Sequence, residues 1–143
     1  MISSECETGR SLRMIMIDST VYIDWLRRRV DLREVLGPWL TAQAVACCGV
    51  IRAEVIRGVL QPRQKAKIHS LFDSMRDLPT DSEAWGDVCE LAWELDRKGT
   101  ILPLTDLVIA VCAQRAGATL VSTDPHFSKV PQLKLRTDVP RLN

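Results

Sequence analysis

The sequence has no C-x-x-C pair, no long apolar run and almost no excess charge of either sign. Its five cysteines are an odd number without metal-ligand spacing, which argues against a zinc site and against a disulfide framework. Because no apolar run is long enough to span a bilayer, we expect no membrane association. The net charge of +1 provides no overall attraction to nucleic acid, so any such binding must come from local patches.

The residues that are present are typical of one folded domain. Hydrophobic residues make up 46% and charged residues 26% of the 143 residues, and a chain of this size buries about two-thirds of its unfolded surface. Residues 1–12 have no usable periodicity and are predicted to form a flexible tail before a single domain at 13–143. This polar start lacks the apolar core of a secretory signal, so the expected location is the cytoplasm.

Short apolar runs alternate with longer segments of helical periodicity along the chain. Strands are predicted at 14–17, 44–48, 119–122 and 133–135. Helices are predicted from 19 or 20 onward with Ser19 or Thr20 as the cap, at 31–40, 51–60 and 62–75, after a Thr80 or Asp81 cap to 98, and at 107–115 with Thr105 and Asp106 as the cap. Gly37-Pro38 is expected to break or distort the helix at 31–40 near its end. This alternation predicts a three-layer α/β/α sandwich with a central, mainly parallel sheet, which is a Rossmann-like arrangement.

Four acidic residues occur at equivalent places in this predicted order. Asp18 ends the first strand, Asp124 follows the strand at 119–122, and Glu54 and Asp106 lie near the starts of two helices. In a parallel sheet these positions share the edge formed by the carboxyl ends of the strands, where ligands bind. We therefore expect the four carboxylates to converge on one pocket.

Carboxylates at such close range repel one another by roughly 4 kcal/mol per pair at 4 Å and an effective dielectric of about 20. A bound cation removes this repulsion. Oxygen ligands without cysteine or histidine favour Mg²⁺, with Mn²⁺ as a substitute, and these ions commonly bind substrate phosphates. Phosphodiester hydrolysis is the chemistry that such a pocket favours.

Four segments together resemble the PIN-domain family, and within it the VapC-type toxins. They read MIDST at 16–20, AEVIRG at 53–58, TDLVIA at 105–110 and STDPHF at 122–127, and they span most of the chain. No single segment is diagnostic, because a hydrophobic strand that ends in Asp occurs in many α/β proteins. Their order, spacing and flanking residues carry the resemblance.

The resemblance implies an Mg²⁺-dependent endoribonuclease that hydrolyses RNA with metal-activated water and acts as the toxin of a type II toxin-antitoxin system. Its implied partners are an antitoxin of the VapB type and a second copy of the chain. Thr20 and Thr123 are implied to orient a ligand or water next to the metal. The implied metal ligands and catalytic residues are Asp18, Glu54, Asp106 and Asp124.

Other functions remain open at this stage. A degenerate PIN module would bind RNA or a protein without cleaving RNA. A flap nuclease would act on DNA, although the chain is short for the clamp elements of such enzymes. Receivers and haloacid-dehalogenase-like phosphatases also place an Asp at a strand end. They are disfavoured because Thr20 replaces the second Asp of those phosphatases and the acidic pair of receivers is missing.

Several residues have a structural reading beside the functional one. Four arginines are candidate contacts for RNA phosphates, or otherwise solvated side chains at helix ends: Arg27, Arg28, Arg52 and Arg57. His126 is expected to be a surface or turn residue, and His69 has no predicted partner. Trp85 and Trp93 are expected to pack against the core, as is Cys89. For Trp39 and Met75 a place on an interaction surface and a place in the core are equally open.

Overall fold

The structure, a computed structural model, describes residues 13–142. The predicted tail at 1–12, with Cys6, and the last residue, Asn143, lie outside the described residues. Within the described part, no helix has both the length and the apolar character required to cross a membrane.

A five-stranded parallel sheet forms the centre of the molecule. Its strands are β1 (Ile15–Ile17), β2 (Val45–Cys48), β3 (Arg76–Leu78), β4 (Thr119–Val121) and β5 (Leu135–Arg136), in the spatial order β3-β2-β1-β4-β5. Ile15 pairs with Val45 on one side and with Thr119 on the other. Every residue of β1 and β2 is buried, as expected for strands covered on both faces by helices. The predicted three-layer α/β/α fold is confirmed.

Seven helices connect and cover the strands of the described residues. Their bounds are α1 (Ser19–Arg27), α2 (Leu32–Val35), α3 (Gly37–Thr41), α4 (Gly49–Arg57), α5 (Pro62–Asp73), α6 (Ser82–Arg97) and α7 (Leu104–Arg115), and a 3₁₀ helix follows β4 (Pro125–Lys129). Asp81 caps α6 by accepting a hydrogen bond from the Ala84 amide at 2.8 Å, as predicted. The left-handed backbone of Gly99, with φ of +79°, follows the end of this helix.

Several predicted elements have different bounds in the structure. The helix expected at 31–40 is interrupted at Gly37-Pro38, as predicted, and forms two short helices: Leu36 is the C-cap residue of α2, and Pro38 lies in the first turn of α3. The helix expected to reach Met75 ends at Asp73, and the strand β3 follows it. This edge strand was missed because its residues, Arg76-Asp77-Leu78, show no apolar pattern.

Trp39 and Met75, which the sequence left open between surface and core, are both buried. Trp39 is 3% exposed, and its indole N–H donates to the Pro140 carbonyl at 2.9 Å. The predicted burial of Trp85 and Trp93 was wrong, since they are 43% and 57% exposed. Cys89 is exposed with them, because the inward face of α6 is formed by other residues: Ala84, Val88 and Leu95.

Candidate metal centre

Asp18 lies at the end of the central strand, where the chain turns into α1. Its side chain is 2% exposed, and its Oδ2 atom accepts hydrogen bonds from Thr20 Oγ1 at 2.6 Å and Ser122 Oγ at 2.9 Å. Asp18 is the N-cap residue by position, yet its carboxylate does not bond to the helix backbone. The expectation that Ser19 or Thr20 caps this helix was wrong, because the Thr20 hydroxyl binds Asp18 instead.

Glu54 is held toward Asp18 by the residue that follows Asp18. Ser19 Oγ donates to Glu54 Oε1 at 3.0 Å, which joins α1 to α4. Because α4 begins at Gly49, earlier than expected, Glu54 lies in the second turn of that helix. Its side chain is partly buried.

Asp106 and Asp124 meet across the ring of His126. His126 Nδ1 lies 2.9 Å from Asp106 Oδ2 and 3.3 Å from Asp124 Oδ1. Asp106 is in the first turn of α7 and does not cap it, so the predicted cap by Thr105 and Asp106 was wrong. His126 is 41% exposed and lies in the 3₁₀ helix, in agreement with the expected surface or turn position, and its ring also lies among the acids, which the sequence did not predict.

The four acidic residues share one electrostatic environment. Burial raises the pKa of Glu54 above its ordinary value; the Ser19 hydrogen bond opposes this, and the charges of Asp18 and Asp106 add to it. Burial likewise raises the pKa of Asp106; the His126 hydrogen bond opposes this, and the charges of Asp124 and Asp18 add to it. The charge of Asp18 therefore acts on both Glu54 and Asp106. Asp106, Asp124 and His126 form a group of possible ligand atoms within 4.8 Å of one another, and Asp18 and Glu54 lie outside that group, so the convergence of all four acids on one ion stays a prediction.

Ser122 makes the contacts that were expected of Thr123. It is 2% exposed, donates to Asp18 Oδ2, and accepts a hydrogen bond from the Asp124 amide at 3.0 Å. The Thr123 side chain is exposed. Successive side chains in an extended segment point to opposite sides, so Ser122 shares a side with Asp124 and Thr123 does not. The sequence analysis missed Ser122, and this alternation is the signal that could have identified it.

The four candidate arginines differ in their surroundings. Arg52 donates to His69 Nδ1 at 2.9 Å and to Asp73 Oδ1 at 2.7 Å, so it connects α4 to α5, and the expectation that His69 has no partner was wrong. Arg28 pairs with Asp24. Within residues 13–142, Arg27 and Arg57 form no ion pair. The charge of Arg57 lowers the pKa of Glu54.

The donor atoms of this cluster fit a divalent cation. Oxygens of Asp106 and Asp124 and a ring nitrogen of His126 lie within 4.8 Å of one another, and Asp18 and Glu54 add carboxylates that interact with Asp106. Hard carboxylate oxygens suit Mg²⁺ and Mn²⁺. The imidazole was not expected in the set, and it suits Mn²⁺ better than Mg²⁺ if it binds the ion directly.

Comparison with known proteins gives consistent results. A family model described as PIN domain matches residues 15–133. The VapC ribonuclease Mb1587 of Mycobacterium bovis is 24% identical over 127 residues, which cover 84% of this chain and 93% of that protein. Ribonuclease VapC11 of Mycobacterium tuberculosis has the same identity and coverage.

Solved structures resemble the fold at low sequence identity. DNA-bound VapBC from Salmonella typhimurium matches with a TM-score of 0.74 and 22% identity over 86% of this chain and 96% of that one. VapBC2 from Rickettsia felis, bound to a DNA fragment from its promoter, matches with a TM-score of 0.71 and 23% identity over 86% and 97%. These likenesses support the α/β/α arrangement described above.

Proposed function

The chain belongs to the PIN-domain family, and on that premise we propose that it is a divalent-metal-dependent ribonuclease and the toxin of a VapBC-type pair. The observation that carries the proposal is the electrostatic interaction among four acidic side chains from four separate segments, two of them with a raised pKa. The two mycobacterial relatives are named ribonucleases, and these names support RNA as the substrate class.

Asp18, Glu54, Asp106 and Asp124 would hold the cation, with His126 beside Asp106 and Asp124. When bound, Mg²⁺ or Mn²⁺ supplies a Lewis acid that polarises the phosphate and lowers the pKa of water for attack on phosphorus. The chain contributes the placement of its ligands. Both hydroxyls on Asp18 donate to Oδ2, so Asp18 offers its other oxygen, Oδ1, to an ion.

The remaining contacts fix the acids before substrate arrives. Ser19 holds Glu54, and the Asp124 side chain accepts a hydrogen bond from the His126 amide at 2.9 Å. Groups that are already oriented need little reorganisation during the reaction, which is the main source of electrostatic catalysis. The positive charge of Arg57 beside Glu54 would contact the phosphate backbone of RNA.

A cleavage assay with the full chain tests the proposal. RNA should be cut in the presence of Mg²⁺ or Mn²⁺ and remain intact in EDTA. Asp106→Asn should reduce the rate by at least about 100-fold, since even residues behind metal ligands contribute 10- to 100-fold. Glu34→Gln, an exposed acid on α2, should cleave as the wild type does.

The assay also separates the rival functions. Binding of RNA without cleavage beyond that of Asp106→Asn would replace the enzyme with a PIN module that only binds, and cleavage of DNA flaps but not RNA would replace the substrate. Induction in growing cells with mapping of new RNA ends then identifies the target. A toxin should arrest growth, and Asp106→Asn should not.

The solved relatives contain an antitoxin, and we propose a VapB-type antitoxin as the partner of this chain. Co-purification with a candidate antitoxin, together with loss of RNA cleavage in the complex, tests this. A complex that retains full cleavage would contradict it.

A further inference from the structure

A cavity of about 400 Å³ lies between α1 and the carboxyl ends of β4 and β5. Across it from α1 lie Val121, which ends β4, and residues 137–139, which follow β5. The wall on the other side is formed by residues at three- and four-residue intervals, on one side of α1: Val21, Asp24, Trp25 and Arg28. The cavity therefore lies at the same edge of the sheet as the acidic residues.

Two segments of the chain connect this cavity to the candidate metal centre. Val21 is three residues after Asp18 and belongs to the first turn of the helix that Asp18 precedes. Thr123, which also lines the cavity, lies between Ser122 and Asp124. An RNA strand with a phosphate at the acids would therefore have the base of an adjacent nucleotide close to the cavity.

The lining is mainly apolar and contains one aromatic residue. Trp25 is partly buried, and its ring meets the Tyr22 ring edge to face at a centroid distance of 5.9 Å, which restrains it before any ligand binds. Val35, at the end of α2, is 38% exposed, so an apolar side chain of the lining is left in contact with water. Apolar walls with few polar groups are typical of ligand sites, and unpaired RNA bases stack on aromatic side chains.

Basic residues follow the cavity along α1. The exposed run Arg27-Arg28-Arg29 lies at the end of this helix, whose nine residues span about 13 Å. Sites for single-stranded nucleic acid combine aromatic side chains for the bases with positive charges along the backbone. The order along α1 is acid, cavity and arginines, which suits an RNA strand that leaves the metal centre along this helix.

Two carboxylates give the cavity hydrogen-bond acceptors. Asp24 Oδ2 accepts from Arg28 Nε at 3.0 Å, and Asp138 Oδ1 lies 3.6 Å from Arg136 Nη2. Each acid is thus paired with an arginine, which limits the repulsion of RNA phosphates, and each keeps a second oxygen as an acceptor. Guanine has two adjacent N–H donors on its Watson–Crick edge, whereas uracil has one N–H between two carbonyl oxygens. Acceptors in this place therefore favour guanine over uracil.

We propose, on the basis of the ribonuclease function proposed above, that this cavity binds the unpaired base of a nucleotide adjacent to the cleaved phosphate. Trp25 forms the aromatic wall of the site, and Asp138 accepts hydrogen bonds from the base. Guanine is the preferred occupant, and the arginine run contacts the phosphates that follow it.

Binding of short RNA to the full chain tests the proposal, with Asp106→Asn present in every variant so that the RNA stays intact. Fluorescence anisotropy in Mg²⁺ compares two probes, an oligouridylate and the same oligouridylate with one central guanosine. The guanosine probe should bind about 10-fold more tightly. Trp25→Ala should weaken its binding by roughly 10- to 100-fold. Trp93→Ala, which removes an exposed tryptophan from α6, is the matched control and should not weaken it.

Two exposed positions keep the test valid if Trp25→Ala unfolds the chain through its contact with Tyr22. Asp138→Asn should remove the preference for guanosine and leave the affinity for the all-uridine probe unchanged. Val35→Glu should weaken binding of the guanosine probe, whereas Trp93→Glu, which adds the same charge on α6, should not. Circular dichroism and the melting temperature of each variant establish that it is folded.

Cleavage at a mapped site gives a readout that a purely structural role does not change. Replacement of the base beside the cleaved phosphate by an abasic nucleotide should lower kcat/KM of the wild type by about 10-fold or more. The same replacement should have little effect in Trp25→Ala, because the contact with the base is already lost.

Unchanged binding of the guanosine probe by folded Trp25→Ala and Val35→Glu would overturn the proposal, as would equal binding of both probes by the parent protein. Normal RNA cleavage by these two variants would refute the base site and leave the ribonuclease function intact. Probe binding that depends on Trp25 in a chain that cuts no RNA would support the base site and refute the ribonuclease. If Trp25→Ala weakened binding of an antitoxin but not of RNA, the cavity would be a protein-docking site and the proposal would be wrong.

Discussion

Ser122 connects two acids that come from neighbouring strand ends. Its hydroxyl donates to Asp18 and accepts from the Asp124 amide, while the next residue, Thr123, is exposed. Ser122→Ala should reduce the cleavage rate by about 10- to 100-fold, because Asp18 loses one of the two donors that orient it. Thr123→Ala should have little effect on this rate.

Comparison of Ser122→Ala with Thr123→Ala separates the effect of a hydroxyl group at position 122 from the general effect of removing a hydroxyl group. Kinetic constants with Mg²⁺ and melting temperatures of both variants give the comparison. Equal losses of activity in Ser122→Ala and Thr123→Ala would contradict the role assigned to Ser122.

The surroundings of Asp106 disfavour the charged form of its carboxyl group, because burial raises its pKa. Since burial raises its pKa in the folded state, its protonated form contributes stability below the unfolded value of about 3.8, and this contribution is lost as the pH rises through the folded pKa. Without metal at pH 7, Asp106→Asn should therefore melt no lower than the wild type.

Any excess of the melting temperature of Asp106→Asn over that of the wild type should shrink as the pH falls from 7 toward 4, because the wild-type carboxylate then becomes protonated. Thermal melts in EDTA across this range measure it. A variant that melts clearly below the wild type at pH 7 would show that Asp106 has a structural role instead.

At the residue scale, the sequence predicted the acids and missed their neighbours. Asp18 and Asp106 were identifiable because a strand end and a helix start determine their positions. His126 was not, because its partner Asp106 lies 20 residues earlier on a different element, and only the packing of α7 against the 3₁₀ helix brings them together.

Arg52 acts between elements, where it ties α4 to α5. It bonds to His69 and Asp73 and lies over the Phe72 ring, 5.7 Å from its centroid. Arg52→Met should lower the free energy of unfolding by about 1–2 kcal/mol through these lost contacts, with little change in RNA cleavage by the folded enzyme. Denaturant unfolding and cleavage assays test this.

Arg57, five residues after Arg52, should affect RNA binding rather than the stability of the fold. Arg57→Met should leave stability nearly unchanged and weaken RNA binding, with a smaller dependence of affinity on salt concentration. If Arg52→Met weakened RNA binding more than Arg57→Met did, the arginine assignments would be reversed.

Elements with a clear apolar pattern were predicted well, and those without one were not. The strands β1 and β2 are continuous apolar runs, and both were predicted within one or two residues. The strand β3 is charged, so only its pairing with β2 makes it a strand. For α6 the periodicity was recognised but the inward face was misjudged, because Trp85 and Trp93 are as hydrophobic as the residues that are buried.

At the scale of the whole molecule, a bound cation should join segments that are distant in sequence. Its four carboxylates come from the ends of β1 and β4 and from α4 and α7, so binding requires the folded chain. At a hundredfold excess over the dissociation constant, metal should stabilise the fold by about 2.7 kcal/mol, which corresponds to a rise in Tm of roughly 5–10 °C.

Melting curves with and without Mg²⁺ or Mn²⁺ check this expectation. Asp106→Asn should lose most of the shift, and Glu34→Gln should retain it. A shift of equal size in both variants would place the cation elsewhere.

The sheet order has a consequence for how the molecule tolerates change. From β1 the chain first adds β2 and β3 on one side and later β4 and β5 on the other, so the strand order reverses between β1 and β4, and Asp18 and Asp124 follow these two strands. The sheet is held by backbone pairing and an apolar interior, neither of which contains the acids. A protein with neutral side chains at these positions should therefore keep its fold, and would serve as an inactive substitute for studying what binds this chain.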